Sequence, residues 1–328
     1  MADRSAALFD EHRGFLWGLL YRMTGCAADA DDLVQETFVR LLEKDTDGDD
    51  RPLRPWLVRV AMNLAHDLLR RRRRSPYVGP WLPSPVAGDD ESERIEAVEV
   101  VASGVSTEGR YDLIESMSMA FLVALEALTP RQRAVLLLRD VFDYSVRETA
   151  VVLGSSEGGI KVAHLRARRA MQGYEGTRHP SVAAARDKAR EALWKFTEAL
   201  VAGDLARVED LLTEDCRALS DGGGEFYAAL NPILGASRVA RFYQGILSKY
   251  GGVGSIVGML VGGMPALYLD LPDRGAGHPE IDASRVARRF VLQADVDSNG
   301  RITTLYAVLA SRKLTHSRPR EAASSGRA

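Results

Sequence analysis

Residues 128–171 read LTPRQRAVLLLRDVFDYSVRETAVVLGSSEGGIKVAHLRARRAM, and the punctuation of this stretch decides how it folds. Thr129 is placed to cap a helix that has Pro130 in its first turn, and Ser145 to cap a second. Gly154 closes that second helix, and Ser155 and Ser156 offer the cap of a third. Ala150 and Gly154 are the small residues that a tight helix-to-helix turn requires. The spacing predicts a helix-turn-helix. On the last helix, at about 100° per residue, Ile160, Ala163, Ala167 and Met171 share one side, while Lys161, Leu165, Arg168 and Arg169 share the other. A helix packed on one face and basic on the other, opening on small polar residues, fits the major groove with its first turns at the base edges. Ser156, Lys161, Leu165, Arg166, Arg168 and Arg169 are therefore the candidate DNA contacts, with the cations reaching guanine edges or phosphates. His164 lies nearer the packed edge and reads as a core residue. The plainer alternative is a solvated basic helix in a bundle.

Outward from this stretch, the 328 residues are enough for two or three domains, and 46% apolar residues suffice for their cores. The net charge is only −2, but the charge is uneven. From Arg51 to Arg74 eight arginines face one carboxylate, and from Asp89 to Glu99 six carboxylates face Arg94. The two cysteines, Cys26 and Cys216, form no metal-ligand spacing, so neither a metal nor a cofactor is expected. The start lacks a signal peptide's apolar core and no apolar run is long enough to span a membrane, so a cytoplasmic protein with no membrane partner is expected. It is expected to be a monomer when free.

Residues 3–74 hold three segments of helical periodicity: ALFDEHRGFLWGLLYRM, DADDLVQETFVRLLEK and RPWLVRVAMNLAHDLLRRRRR. In the third, Trp56, Leu57, Val60, Ala61, Leu64 and Leu68 form the expected core stripe. Arg59, Asn63, His66, Arg70 and Arg73 lie opposite, a basic strip with one amide. Such a strip suits single-stranded DNA, the cations tracking phosphates while an amide reads an unstacked base; the plainer alternative is a solvated basic helix. In the second segment Asp31, Asp32, Gln35 and Glu36 make an acidic face above core residues Leu33, Val34, Phe38 and Leu41, a docking face for a basic protein or simply a solvated one.

Together these pieces resemble region two and region four of an extracytoplasmic-function, or group-four, sigma factor of bacterial RNA polymerase. The resemblance covers roughly residues 5–174 and rests on three ordered motifs, DADDLVQETFVRL, the 54–74 helix and the 128–171 stretch. It implies that the acidic helix docks on the polymerase clamp, that the Arg59 and Asn63 helix captures the melted minus-ten strand, and that the 156–170 helix reads the minus-thirty-five duplex. Core polymerase and promoter DNA are then the partners, and the protein is not an enzyme. The chain departs from the pattern at Met62, where an arginine is usual, and over Lys161–Arg166. At Gly159 glycine costs the helix about 0.5–1 kcal/mol relative to alanine.

The organisation that follows is multidomain: two all-α domains at 1–74 and 116–174, a linker at 75–115, an α+β domain at 180–312 and a disordered tail at 313–328. The linker contains SPYVGPWLPSPV, whose Tyr77 and Trp81 suggest an anchor on another surface. The last domain is patterned as helices followed by a curved sheet. Asp221, Gly222, Gly223 and Gly224 read as a tight hairpin turn, and Asn231 and Pro232 as a loop start capped by Gly235. These motifs resemble the SnoaL-like cone fused behind region four in one subgroup of these factors, with Glu225 in place of the usual lysine. Such cones bind small apolar ligands, so a ligand in the cone is an expectation. Asp221, Glu225 and His278 are the nearest to a catalytic acid, without a spacing that assembles a site. The expected role is regulatory, with the two loops docking on the linker or on region two. The competing reading is a one-component repressor joining a helix-turn-helix to a sensor cone.

Overall fold

The periodic positions of the first segment become α1 (Ala2–Thr24), α2 (Ala27–Glu43) and α3 (Leu53–Arg72). Gly25, at φ +67°, turns the chain between the first two, its N–H bonded to Tyr21 O at 2.6 Å. α2 buries Leu33, Val34, Phe38 and Leu41, the face its sequence shows. α3 does not follow the expected stripe. Its buried residues are Leu57, Val58, Ala61, Met62, Ala65 and Leu69, and Trp56, Val60, Leu64 and Leu68 are half-buried. α3 packs against α1 and α2 and also against helices of the second block, so two sets of neighbours set its buried arc. The structure, a computed structural model, describes residues 2–43, 52–88, 111, 113–177, 182–250, 252–272 and 282–317. The acidic run 89–99 and His278 lie outside the described residues.

The second block comprises α4 (Met119–Ala124), α5 (Pro130–Leu136) running on into a π-turn at Leu137–Val141, α6 (Val146–Val152), α7 (Glu157–Ala170) and α8 (Gln172–Thr177). Residue contacts place Met1–Pro76 and Asp90–Arg178 in one unit, and Tyr77–Asp89 and His179–Ala328 in another. The linker is therefore divided. Its Pro-rich part belongs to the second unit, and its end at Tyr111, which is buried, belongs to the helical one.

The second unit carries α9 (Val182–Ala202), α10 (Leu205–Asp210) and α11 (Ala236–Tyr250) beside one seven-stranded sheet of order β1-β4-β5-β6-β7-β2-β3. The strands are β1 (Ala87–Gly88), β2 (Leu212–Asp221), β3 (Ile233–Leu234), β4 (Ser255–Val261), β5 (Met264–Asp270), β6 (Arg289–Val296) and β7 (Ile302–Val308). The β2–β7 pairing is parallel, and every other pairing is antiparallel. Strand alternation sends Cys216, Ala218, Leu267, Leu269, Leu292, Ala294, Leu305 and Ala307 toward Leu193, Phe196, Val239 and Tyr243 of the helices. This side is a packed core, with Phe196 and Tyr243 edge to face at 5.4 Å. The opposite face carries Val261, Ala266, Tyr268 and Val291, against which Leu314 packs. Residues 313–317, expected to begin a disordered tail, are ordered, with Lys313 and Ser317 buried. Their hydrogen bonds explain why: His316 O accepts from Ala87 N at 2.9 Å, and Ser317 N donates to Leu314 O.

Candidate nucleic-acid interface and linker clasp

The helix-turn-helix is built by its caps. Thr129 and Gln132 form a reciprocal capping box around Pro130, and Ser145 and Glu148 form another. Ser156 Oγ accepts from Gly159 N at 3.2 Å and starts α7. Gly154 adopts φ +58° in the turn. Val135, Ala150, Ile160 and Ala163 close the small core between the three helices. The outward face of α7 then exposes Lys161, Val162, Leu165, Arg166 and Arg169.

Two expected assignments shift in detail. Arg168 is turned to Asp140, giving Nη2–Oδ1 2.7 Å and Nε–Oδ2 3.1 Å, while His164 Nε2 lies 2.8 Å from the same Oδ1. Burial alone would raise the Asp140 carboxyl, but the hydrogen bonds from His164 and Arg168 outweigh it and hold it below the ordinary value. Arg168 thus ties α7 to the π-turn that follows α5 through a buried acid. Arg131, which the sequence reading passed over, is exposed and donates to Ser155 Oγ at 2.6 Å, so it stands at the mouth of α7. Its only sequence signal was a cation in the first turn of the preceding helix.

Arg59, Asn63 and Arg70 of α3 and Arg73 at its C-cap are exposed. Arg59 reaches the helix-turn-helix turn, where a Cβ on Gly154 would lie 3.7 Å from its Nη2. Arg73 donates to Leu128 O. Arg72 donates to Thr24 O at 2.8 Å and to both Glu126 oxygens at 2.9 Å. Arg133, buried, shares Glu126 at 2.7 Å and donates to Met23 O at 3.0 Å. Burial lowers the Arg133 guanidinium and Glu126 works against that shift. Arg22, also buried, donates to Ser116 Oγ at 2.7 Å and Leu113 O at 2.8 Å. The two helical blocks are thus joined by arginines. On α2, Asp32, Gln35 and Glu36 are exposed, Asp31 accepts from Trp17 Nε1 at 2.7 Å, and Glu36 pairs with Arg40 at 3.0 Å. Exposed Val39 and Leu42 extend this face with apolar surface that the sequence reading left out.

In the second unit Asp221 is fully buried at the end of β2 and gathers the linker. Its Oδ1 accepts from Tyr77 Oη at 2.6 Å and Gly223 N at 3.0 Å, and its Oδ2 from Leu82 N at 2.7 Å and Lys313 Nζ at 2.5 Å. Lys313 also donates to Leu82 O at 2.6 Å and stands over the rings of Trp81 and Tyr77, at 4.1 and 4.9 Å. The glycines are required by contact. A Cβ on Gly222 would lie 2.5 Å from Phe226 O, and one on Gly223, at φ +62°, 2.9 Å from the Ala310 Cβ. The expected tight hairpin is instead an eleven-residue loop, 222–232, between β2 and the short β3, because Asp221 is occupied in binding the linker. Glu225 accepts from Ser311 N and Oγ, at 3.1 and 2.7 Å, holding the turn that presents Lys313. The cation of this cluster, Lys313, comes from the far end of the domain. Asn231 and Pro232 are exposed, and Gly235 N bonds Cys216 O at 2.8 Å as α11 begins. Gly79 lies against Ala229 and Leu230. Asp295, also passed over in the sequence reading, takes the Tyr306 hydroxyl at 2.6 Å, and burial raises its carboxyl.

Residues 8–75 match the family model of sigma-70 region 2, and residues 118–171 that of sigma-70 region 4. The ECF RNA polymerase sigma factor SigJ of Mycobacterium tuberculosis is 32% identical over 317 residues, spanning 94% of this chain and 93% of the relative. The chain belongs to the ECF sigma factors.

A crystal structure of M. tuberculosis SigJ superposes with a TM-score of 0.69 at 29% identity, covering 95% of this chain and 98% of that one. SigG of the same organism is 35% identical over 231 residues, which is 65% of this chain and 61% of SigG. This sigma factor therefore directs transcription initiation, binding core RNA polymerase and promoter DNA. Helices α1–α3 form its region two, α4–α7 its region four, and the sheet unit is its SnoaL-like domain. The repressor reading is not favoured, since residues 8–75 match the sigma-70 region 2 model. No helix among the described residues is long and apolar enough to cross a membrane.

Proposed function

We propose that this sigma factor is restrained by its own fused domain, through capture of the linker that joins regions two and four. The observation that carries the proposal is Asp221, which takes donors from two linker residues and from Lys313 in one buried cluster. The minus-ten and minus-thirty-five elements are about 25 base pairs apart, about 85 Å of duplex at 3.4 Å per step. Regions two and four are in direct contact through Arg72, Glu126 and Arg133, so reading both elements requires them to part. A linker held on the sheet shortens the tether available for that separation. In the open form Arg59, Asn63, Arg70 and Arg73 contact the melted strand, Ser156, Lys161, Leu165, Arg166 and Arg169 contact the duplex, and the Asp31–Glu36 face docks on polymerase. Such a protein works in the cytoplasm, as a monomer until it meets polymerase.

A small ligand within the cone would have to displace the packed Phe196 and Tyr243. Among the described residues, one place with room for a ligand is an open cleft of about 740 Å³ on the other face, lined by Phe226, Tyr268, Val286, Arg288, Arg289 and Leu314 among others.

The test is run-off transcription with purified core polymerase, comparing the full chain, Lys313→Met and a chain ending after Arg178. Lys313→Met leaves Asp221 three donors and loosens the clasp without emptying it. Stronger initiation from both altered proteins supports restraint. Equal or weaker initiation from Lys313→Met rules it out.

A further inference from the structure

The outer face of α7 is not uniformly polar. Val162 is 51% exposed and Leu165 54% exposed, two branched aliphatic side chains three residues apart on a helix whose other outward residues include Glu157, Lys161, Arg166 and Arg169. Among the described residues of the helical unit, none covers them. Residues three apart on a helix are neighbours on its surface, about 5–6 Å between Cβ atoms, so the pair forms one small apolar spot. At 1.5 Å per residue, Val162 lies about 7.5 Å and Leu165 about 12 Å from the helix start, within the N-terminal part of a helix that meets base edges in the major groove. Gly158, one turn before Val162, has open space where a side chain would be, so the duplex can approach the backbone closely there. Cations flank the spot on the same face, and Arg131 stands at the mouth of the helix. Charge complementarity therefore favours a polyanion as the occupant of this face.

We propose that Val162 and Leu165 read thymine, each seating against a C5-methyl group in the major groove of the minus-thirty-five duplex. This rests on the reading of α7 as the minus-thirty-five helix and adds the base it prefers. Of the four base edges in that groove, only thymine presents a methyl group; the rest are donors and acceptors that an aliphatic side chain cannot satisfy. An aliphatic pair against a donor or acceptor would leave that group dehydrated and unpaired, which penalises the other bases. The two thymines lie within one or two steps of each other, as the spacing of the side chains dictates. Lys161, Arg166 and Arg169 fix the register through phosphates or guanines and carry no methyl selectivity.

The test uses holoenzyme assembled from the full chain and core polymerase. Promoters are selected from a library randomised over the minus-thirty-five element, and each thymine of the winner is then replaced by deoxyuridine, which removes the methyl and nothing else. One or two positions should lose about fourfold in affinity, the equivalent of about 0.8 kcal/mol for one buried methyl-sized group. Val162→Ser and Leu165→Asn, both at exposed positions, should each abolish the penalty at one of these positions while still initiating, and Val162→Thr, which keeps one methyl, should fall between. Deoxyuridine tolerated at every position by the unaltered protein, or a penalty undiminished in Val162→Ser, overturns the methyl contact alone. Initiation with no base preference anywhere in the minus-thirty-five element overturns the placement of α7 in the groove.

Discussion

Replacing Glu126 with glutamine keeps the side chain's size and removes the charge on which Arg72 and Arg133 converge. The Arg133–Glu126 pair lies within region four and persists when the regions part, so its loss acts on both arrangements and largely cancels. The Arg72 pair spans the two regions, with both carboxylate oxygens at 2.9 Å and side chains 22% and 31% exposed. An exposed ion pair contributes about 0.2–1 kcal/mol. A bidentate arginine pair partly out of water contributes more, and glutamine would also turn an amide N–H₂ toward one guanidinium. The contact between regions should weaken by about 1–2 kcal/mol, shifting the ratio of closed to open about five- to thirtyfold. The assay is energy transfer between labels on cysteines introduced at exposed Glu43 and Glu157; the natural cysteines are buried. The unaltered protein should open as salt rises from 0.05 to 0.5 M, because the pair is only partly shielded from ions, while Glu126→Gln should start more open and respond less. Identical distance distributions for the two proteins at low salt would refute the reasoning.

Gly223→Ala forces a Cβ to within 2.9 Å of Ala310 from a left-handed backbone; the sheet unit should lose about 1–3 kcal/mol, read as a lower Cm or melting midpoint. Asp140 has a depressed carboxyl, so its contribution is present above the unfolded carboxylate value of about 3.9 and is lost as pH falls through the lower folded value. Asp140→Asn should therefore reduce stability at pH 7 and flatten the acid limb of the stability curve, measured by urea unfolding between pH 2 and 7. Lys161→Ala and Arg166→Ala should each lower the slope of log K against log salt by about one for the promoter duplex. The Leu82 amide, bonded to Asp221 within the clasp, should exchange hydrogen as slowly as the central strands, and in Lys313→Met it should exchange measurably faster.

The helix-turn-helix was legible because its information is local. Caps, Pro130 and Gly154 act over a few residues, and each does in the structure what its type predicts. The basic strip of α3 was legible for the same reason, as its periodicity separates Arg59 and Asn63 from the core. The exact core stripe was not, because Val58 and Met62 are buried by partners outside their own block, which a single-helix pattern does not record. The clasp was half legible. Asp221, the glycines, Tyr77 and Trp81 stood out as unusual residues, and docking on the linker was among the expectations for the loop. Lys313 was hidden by 92 residues of separation from Asp221 and by a polar context that reads as a tail. Arg168 illustrates the converse. Its charge placed it among the DNA contacts, and only the fold shows that Asp140 at the π-turn takes it.

The two self-contacts of this sigma factor differ in kind, and the difference suits their roles. The contact between regions two and four uses the guanidiniums of Arg73 and Arg133 on backbone carbonyls and that of Arg72 on one half-exposed carboxylate, groups that water and phosphates can satisfy once the regions part. Moving such an equilibrium from 99:1 closed to 99:1 open takes about 5.5 kcal/mol of differential binding, within reach of a polymerase surface and a promoter acting together. The clasp instead buries Lys313 and Asp221 with hydrogen bonds to both and aromatic rings around the ammonium. Withdrawing the linker leaves Lys313 paired with Asp221 but breaks the Tyr77 and Leu82 hydrogen bonds and uncovers the buried Leu82 and Val86, so it costs more than parting the regions. On the proposed reading the regions are the element that opens and the linker the element that stays, so the number of residues between the clasp and region four limits how far the two regions can travel.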